Sequence, residues 1–467
     1  MGAKNAQMSM KNFFTMQPRW YLVTLAIFFA GYLGLWCYTI HLAHIERAQG
    51  AQFVLPVGPH DSTSYANLAQ SILQGHYFDS STDNSPYEYF HTPGYPSFVA
   101  VLLFISGGSF FTVTLVQIIL VFAIAIMTML LGQVLISKQI GQWASILFLA
   151  NPLVPSIALY VLTDTVFMFL LTAGFCSLVF LVPRRPLWGI LSAGLIFGAA
   201  VYVRPIGSIA FPIFIALLFA LPLSWYKKFA LSIGMLAIIV TLMLPWMIRN
   251  KIDSGVFSFS SLFSLNMAFY EIPHYWTWHG TMTLSQAIQK VAQESGVPED
   301  GNAAGYPTNW YNLASSPAIN HFVIQAVLQS PFSYGVWHLY NSVGGFFLNP
   351  AINPPNQQIN LKQLLARGRF DIFFRSVITP WWLLLERIGI AFGLLFVAFG
   401  IWNMRYKPFA WAFLFVIFYF SILGGSAAES RLRLPVEPLI SILLVSGAVY
   451  LLERIFTKAL KPHLEEN

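Results

Sequence analysis

Residues 60–96, HDSTSYANLAQSILQGHYFDSSTDNSPYEYFHTPGYP, form a polar segment between the first two apolar runs of the chain. Apolar side chains within 65–73 recur at the spacing of one helical face, and Gly75 ends the pattern. Asp61 therefore lies at or beside a helix N-terminus, and the PGYP step at 93–96 starts the next apolar run. We expect this segment to carry the chemistry of an otherwise apolar chain.

The composition places the chain in a membrane. Its 467 residues are 57% hydrophobic and 9% charged, whereas a typical soluble domain is about 25% charged. Runs that reach the roughly 20 apolar residues needed to cross a bilayer recur along the whole length. The sequence thus predicts an all-α polytopic membrane protein and excludes a soluble enzyme with a single anchor.

The basic residues and the cysteines narrow the function further. The formal net charge of +7 comes from short Lys and Arg clusters beside apolar runs, so no nucleic-acid partner is expected. Cys37 and Cys176 both lie inside predicted spans and are expected to be packing residues, with neither a disulfide framework nor a zinc site. The first apolar run has no convincing cleavage site, so we expect a retained span.

The positive-inside rule orients the predicted spans. Lys4, Lys11 and Arg19 put the N-terminal segment in the cytoplasm and residues 60–96 outside, and later basic clusters mark cytoplasmic turns. Asp164 and Arg204 then fall on the outside. The apolar runs are 20–42, 95–105, 110–136, 143–162, 165–182, 187–203, 206–221, 229–248, 381–402, 409–423 and 434–452.

One of the three apolar runs between residue 94 and Asp164 is not a full span, because an even number of crossings must connect two outside segments. Run 95–105 is about half a bilayer thick at the helical rise, whereas run 143–162 is interrupted by Asn151 and Pro152. We expect about ten full crossings plus a partial or re-entrant helix. Helices broken at membrane depth are tolerated where they line a protein-enclosed cavity.

The chain is expected to divide into three regions. They are an N-terminal transmembrane catalytic module, 1–248, with the first outer loop at 43–94; an outer-face loop region, 249–380; and C-terminal transmembrane helices with a short cytoplasmic tail, 381–467. Two short amphipathic helices are predicted in the outer-face loop region. One starts at Thr283 with Gln286 as a capping box and ends at Gly296, and the other starts at Ser316 and ends before Pro331.

Ionisable residues at the predicted outer membrane edge are the candidates for chemistry, because such residues are costly there and tend to mark function. Carboxylates suit proton abstraction from a hydroxyl nucleophile, and arginines bind phosphate through forked, charge-assisted hydrogen bonds. The combination indicates transfer from a phosphate-bearing lipid. The residues on this side are Asp61, Glu88, His91, Asp164, Arg204, Arg249, Glu429, Arg431 and Arg433.

Each of these residues also has a purely structural interpretation. The two aspartates could serve only as helix caps, and the arginines of VYVRPIGS and LPWMIRN could extend to lipid headgroups. Arg431 and Arg433 could simply pair with Glu429. Glu88 and His91 could be ordinary loop residues. No single motif decides between the two interpretations.

Six short motifs occur in order along nearly the entire chain. They are Asp61 with Tyr65 and Ala69; Pro93-Gly94-Tyr95-Pro96; Leu162-Thr163-Asp164; Arg204-Pro205; Pro245-Trp246-Met247-Ile248-Arg249-Asn250; and Arg431-Leu432-Arg433-Leu434-Pro435. Together they resemble the GT-C membrane glycosyltransferases, in the branch of the protein O-mannosyltransferases and lipid A aminoarabinose transferases.

The resemblance implies inverting transfer of a sugar from a polyprenyl-phosphate donor to an acceptor hydroxyl on the outer face of the membrane. Asp61 matches the catalytic carboxylate of the family, which would deprotonate the acceptor or hold it for in-line attack, and Asp164 matches a second acidic position. Arg249 and Arg431 are the preferred pair for the donor phosphate. Further candidates for binding donor or substrate are Glu88, His91, Arg204, Arg433, Tyr65 and Tyr95.

The same resemblance implies the partners and the location. We expect a lipid-linked sugar donor, a glycan or glycolipid acceptor rather than a protein, and membrane lipids, in the bacterial cytoplasmic (inner) membrane with an active site that faces outward. Two departures from the family matter. Ser62 follows Asp61 where many relatives have a second acidic residue, so no metal or other cofactor is expected to be required. His91 is the nearest basic residue before the PGYP step, where relatives often have Arg or Lys.

Two other functions are compatible with these observations. A transporter or flippase of lipid-linked sugars also has many spans and a broken helix, but its site usually lies near the midplane between repeated halves. No repeat is visible here, and the polar residues concentrate in outer loops, which favours an enzyme. A scaffold protein of an envelope polysaccharide system leaves the arginine positions unexplained.

Overall fold

The structure is a computed structural model that describes residues 17–51, 54–58, 61–76, 89–280, 282–298, 308–348, 388–427 and 430–464. Within these ranges the regular elements are helices. The N-terminal module comprises α1 (Arg19–Ala48), α2 (Asp61–Leu73), α3 (Gly94–Ser106), α4 (Phe110–Leu135), α5 (Lys138–Ala150), α6 (Leu153–Ala158), α7 (Asp164–Phe180), α8 (Pro186–Val203), α9 (Phe211–Phe219) and α10 (Trp225–Ser254).

The remaining helices follow α10 in two groups. The first group comprises α11 (Leu262–Leu265), a π-helical turn (Asn266–Glu271), α12 (Ile272–Trp278), α13 (Leu284–Ser295), α14 (Thr308–Tyr311), α15 (Ser316–Gln329) and α16 (Pro331–Leu348). The second group comprises α17 (Ile388–Asn403), α18 (Pro408–Ile422), two 3-10 turns (Gly425–Ala427 and Ser430–Val436) and α19 (Glu437–Leu464).

The apolar helices make this an integral membrane protein. Five helical segments among the described residues are long and apolar enough to cross a bilayer, and α3, α7, α17 and α18 are shorter apolar helices. The all-α membrane fold expected from the composition is therefore confirmed. The number of complete crossings, about ten, stays a prediction, as do the three region boundaries. The five long segments are α1, α4, α8, α10 and residues Arg431–Ile455.

Helix α3 runs beside only the first turns of α4. The Tyr95 hydroxyl, at the start of α3, donates to Gln117 Oε1 at 2.7 Å, and Gln117 lies two turns into α4. The other end of α3 joins α4 through a turn in which the Ser106 hydroxyl contacts Ser109. Since α3 is 13 residues long, about 20 Å at the helical rise, it is too short to cross. This arrangement favours α3 as the partial span.

The break predicted inside run 143–162 is present. Helix α5 ends at Ala150, and α6 begins after Pro152. The carbonyl groups of Ala158 and Tyr160 accept hydrogen bonds from Gln117 Nε2, both at 2.8 Å. This amide therefore joins α3, α4, the end of α6 and the irregular segment that leads into α7.

The two predicted amphipathic helices are also confirmed. Thr283 and Gln286 form a capping box at the start of α13, and Gly296 ends the helix with a left-handed φ of 69°. Helix α15 begins at Ser316 and ends before Pro331. The sequence analysis missed α16, which follows directly and packs against α18 and the two 3-10 turns.

Candidate active site

Two aspartates from distant parts of the chain share one arginine. Arg431 NH2 donates to Asp61 Oδ2 at 2.7 Å, and Arg431 Nε lies 3.6 Å from Asp164 Oδ2. Asp61 is the first residue of α2, Asp164 is the first residue of α7, and Arg431 lies in the 3-10 turn Ser430–Val436 before α19. Three segments separated by up to 370 residues thus converge.

Asp164 is fully buried and holds two cations. Its side chain is 0% exposed, and Arg204 NH1 donates to Asp164 Oδ1 in addition to the approach of Arg431. Arg204 follows the last residue of α8 in an extended conformation, and Pro205 starts the next turn. A buried charge must be paired, so the carboxylate does more than cap α7.

The PGYP step brings the outer loop against α8. A Cβ on Gly94 would lie 2.5 Å from the Tyr202 carbonyl and 2.8 Å from Val203 N. Only glycine permits this close approach of two backbones. The approach seats the start of α3 directly beside the end of α8, from which Arg204 projects.

Asp61 is the accessible carboxylate of the pair. Its side chain is 40% exposed, compared with 0% for Asp164. Burial acts to raise the pKa of Asp61, but the charge and hydrogen bond of Arg431, together with the charges of His91 and Arg204, outweigh it and lower the pKa below 3.8. Asp61 therefore stays ionised at neutral pH and can accept a hydrogen bond from a hydroxyl group.

Aromatic rings and His91 form one wall of the site. The Tyr65 ring packs edge-on against His91 at 4.9 Å and against Tyr95 at 5.1 Å between ring centroids. Burial, and then the charge of Asp61, raise the pKa of Tyr65, so its hydroxyl remains protonated. His91 is 9% exposed and lies close enough to Asp61 for their charges to interact.

Arg249 lies nearby but outside this cluster. Its Nε is 3.0 Å from Asp253 Oδ2, and its guanidinium is 4.7 Å from the Trp246 ring and 5.3 Å from the Tyr89 ring. Tyr89 belongs to the same loop as His91, and its carbonyl accepts a hydrogen bond from Ser261 N at 3.0 Å. Arg249 thus flanks the loop that carries His91.

Arg433 turns away from the aspartates. Its Nε donates to Glu437 Oε1, and both side chains line a cavity of about 450 Å³. Most of the other residues that line the cavity are apolar. The structure therefore separates the two arginines of the RLRLP motif: only Arg431 joins Asp61 and Asp164. Glu88 and Glu429 lie outside the described residues.

Comparison with known proteins identifies the fold. The archaeal oligosaccharyltransferase AglB from Archaeoglobus fulgidus, in a structure with an inhibitory peptide and a dolichol-phosphate, matches 95% of this chain with a TM-score of 0.53 at 12% identity. The apo form of that oligosaccharyltransferase matches 96% with a TM-score of 0.51 at 13% identity.

The fold is of the GT-C type. This chain spans about half the length of the oligosaccharyltransferase, 52% in both structures. ArnT from Cupriavidus metallidurans, bound to undecaprenyl phosphate, matches 91% of this chain and 76% of its own length, with a TM-score of 0.40 at 13% identity. No protein-family model matches the sequence, and no curated protein matches it.

A metal ion does not suit the cluster of Asp61, Asp164 and Arg431. No group of three His, Cys, Asp or Glu side chains converges within the described part of the chain. Both aspartates are already neutralised by arginine, and a divalent cation between them would be repelled by Arg431. The described residues do not fit a metal at this position, and the expectation that no metal is required stays a prediction.

Two polar positions that the sequence analysis missed help to build the site. Gln117 is 0% exposed and orients both Tyr95 and the segment before Asp164. A single amide inside an apolar run was the available signal, since polar residues at membrane depth are usually kept for a reason. The second missed position is Asp253, one helical turn after Arg249. The signal for it was the i,i+4 spacing of the two charged residues, which form a pair on a helix.

Proposed function

We propose that this protein is an inverting glycosyltransferase that moves a sugar from a polyprenyl-phosphate donor to an acceptor hydroxyl on the outer face of the bacterial cytoplasmic membrane. The observation that carries the proposal is the bridge of Arg431 between Asp61 and Asp164. It joins an accessible carboxylate to the cations that a phosphate donor requires.

Asp61 receives the acceptor. Of the two aspartates it is the one exposed to an incoming hydroxyl group, and its lowered pKa makes it a weak base and a strong hydrogen-bond acceptor. These properties favour orientation of the hydroxyl over full deprotonation before attack. The acceptor oxygen bonds to the anomeric carbon from one side while the bond from that carbon to the phosphate oxygen breaks on the other, which inverts the configuration. The hydroxyl proton passes to Asp61 as the new bond forms.

Arg431 and Arg204 stabilise the leaving phosphate. Their side chains are 27% and 13% exposed, so the guanidinium groups are largely shielded from water. Charge-assisted hydrogen bonds are strong in such surroundings. The electron pair of the broken bond leaves with the polyprenyl phosphate, where positive charge must be available. Asp164 holds both arginines in place from the buried side.

Arg249 extends the cationic path toward the loop that contains His91. Its stacking on Tyr89 and Trp246 fixes a guanidinium near the end of α10, where it meets the lipid phosphate that enters from the membrane. The archaeal oligosaccharyltransferase of similar fold is described with bound dolichol-phosphate, itself a polyprenyl phosphate. This supports a lipid-linked donor. A glycan or glycolipid acceptor, rather than a protein, remains part of the proposal.

The test compares purified wild type with Asp61→Asn in lipid nanodiscs. Polyprenyl-phosphate sugars are supplied with candidate glycan and glycolipid acceptors, and transfer is followed by mass spectrometry. Loss of the carboxylate should lower turnover by at least about 10²-fold, because the amide cannot accept the proton or hold the hydroxyl with the same charge. Lys290→Gln on α13 is the control, since this exposed residue lies in another part of the chain. Equal turnover by wild type and Asp61→Asn would contradict the assigned role.

A further inference from the structure

A buried carboxylate outside the candidate active site gathers four donors. Glu271 is 4% exposed. Its Oε1 accepts from the backbone N–H of Ser426 and, at 3.1 Å, from the Ser426 hydroxyl. Its Oε2 accepts from the Tyr334 hydroxyl at 3.2 Å and from His338 Nδ1 at 2.9 Å. One side chain therefore ties α16 to the turn Gly425–Ala427.

The His338 ring must carry both of its protons in this arrangement. Nδ1 faces the Glu271 carboxylate, and Nε2 lies 2.9 Å from the Ile422 carbonyl oxygen. Both partners are acceptors, so each ring nitrogen has to donate. Glu271 and His338 thus form a charged pair that is anchored to the end of α18 as well as to the turn that follows it.

The local sequence is built for this contact. Glu271 ends a π-helical turn, Asn266–Glu271. Such turns are rare in proteins, and those that occur often lie at functional sites. Gly425 has a left-handed φ of 53°, and a Cβ on it would collide with the Glu271 carboxylate. The Gly425 N–H also donates to the buried Ser342 hydroxyl at 2.7 Å. Glycine at this position lets the turn close over the carboxylate.

The turn leads directly to the arginine of the candidate active site. Four peptide steps separate Ala427 from Arg431, which is at most about 14 Å of chain. The turn Ser430–Val436 packs on α16 as well. Arg431 contacts Asp61 at 2.7 Å, and a hydrogen bond of this length tolerates little displacement of the guanidinium.

We propose that the Glu271–His338 pair positions Arg431: by clamping the turn Gly425–Ala427 onto α16, it sets where the following segment presents its guanidinium between Asp61 and Asp164. This inference rests on the proposed function for its consequence in catalysis, but the clamp itself is a structural claim. Glu271 and His338 do not touch the reacting atoms and act through Arg431.

The first experiment measures the clamp without substrate. Hydrogen exchange of peptides that cover 422–436 is followed by mass spectrometry in nanodiscs for wild type, Glu271→Gln and Ser426→Ala. Exchange should rise at least about 10²-fold in Glu271→Gln, because His338 loses its charged partner, and about tenfold in Ser426→Ala, which keeps the backbone donor. The peptide that covers 61–73 should stay unchanged. Glu294→Gln, exposed and paired with Lys290 on α13, is the matched control.

The second experiment measures the consequence. Transfer from a polyprenyl-phosphate sugar should fall about 10²-fold in Glu271→Gln, since a misplacement of about 1 Å has that effect. The loss should appear mainly as a lower kcat, with a smaller change in the KM of the acceptor. In Arg431→Lys, the added Glu271→Gln change should cost much less than it does in wild type, because the two residues act through one guanidinium.

The outcomes are distinguishable. Faster exchange in 422–436 with no transfer by any protein would refute the proposed function and leave the clamp standing. Unchanged exchange in 422–436, or fully additive losses with Arg431→Lys, would overturn the positioning role even if wild type transfers sugar. If Glu271→Gln does not fold, the Ser426→Ala exchange and transfer results decide the question by the same criteria.

Discussion

Removal of the Arg431 guanidinium should lower the stability of the protein, lower its turnover and shift the pH dependence of transfer. In Arg431→Ala, Asp61 loses its 2.7 Å partner and Asp164 loses the cation at 3.6 Å but keeps Arg204. Since Asp61 is 40% exposed, the loss of its ion pair with Arg431 changes the free energy of unfolding little. The cost comes from the fully buried Asp164, and because one partner remains we expect about 1–3 kcal/mol, below the about 3–5 kcal/mol of a fully broken buried pair.

The effect on turnover should be larger. A preorganised donor for developing negative charge is worth about 10²–10³-fold in rate, so kcat/KM for a polyprenyl-phosphate sugar should fall by two to three decades in Arg431→Ala. Arg431→Lys should fall between this variant and wild type, because ammonium keeps the charge but not the forked geometry. Arg454→Ala is the control, since it lies on α19 near the opposite, predicted cytoplasmic end.

The pH profile provides a signature that a loss of folding would not produce. In wild type, the lowered pKa of Asp61 keeps the carboxylate mostly charged above pH 3.8, and the charge is lost as pH falls through the lowered value. Without Arg431, burial is the largest remaining influence and raises the pKa of Asp61. Activity of Arg431→Ala should then decline on the acid side at a higher pH than in wild type. Transfer assayed from pH 4 to 8, with thermal unfolding as a folding check, tests this; an unchanged profile with wild-type kcat/KM would refute the bridge.

Three further outcomes follow from individual contacts. Gly94→Ala places a methyl group 2.5 Å from the backbone of α8 and should lower stability by about 1–3 kcal/mol, whereas Gly34→Ala, with open space around it, should not; thermal unfolding compares them. His338 faces Glu271 and Tyr334, and the hydrogen bond to Glu271 raises the pKa of His338. The Glu271–His338 pair therefore stabilises the fold fully below pH 6.5 and less as pH rises through the raised value. The unfolding temperature of wild type should decline over that pH range, and that of His338→Gln should not. Transfer should persist in EDTA, and its abolition with recovery on added Mg²⁺ or Mn²⁺ would show that a metal is required.

Much of the architecture could be predicted from composition and local pattern. The low charge content and the recurring apolar runs predict a bundle of membrane helices, because charged side chains are costly in lipid and therefore rare in membrane-spanning segments. The capping box at Thr283 and the break at Pro152 are local effects of a few neighbouring residues. A count of crossings predicted that one of three apolar runs is not a full span, and the Tyr95–Gln117 contact favours the short helix after residue 93 as that run.

The partners of individual side chains could not be predicted in this way. Arg431 and Arg433 are two residues apart and chemically identical, yet one bridges Asp61 and Asp164 while the other pairs with Glu437. Their directions depend on the register of a short 3-10 turn, which is determined by packing against distant helices.

The sequence by itself predicted that Asp61 and Asp164, each at a helix start, would lie on one side of an apolar bundle, and the structure brings both to Arg431. Hydropathy and capping are local properties, so they can be read from neighbouring residues. Only the tertiary structure decided that Arg431 would reach Asp61 across 370 residues and that Glu271 would close under Gly425. Contacts of this kind depend on how whole helices pack, because the close approach of two backbones and the burial of a charge are energies of the assembled fold rather than of any segment.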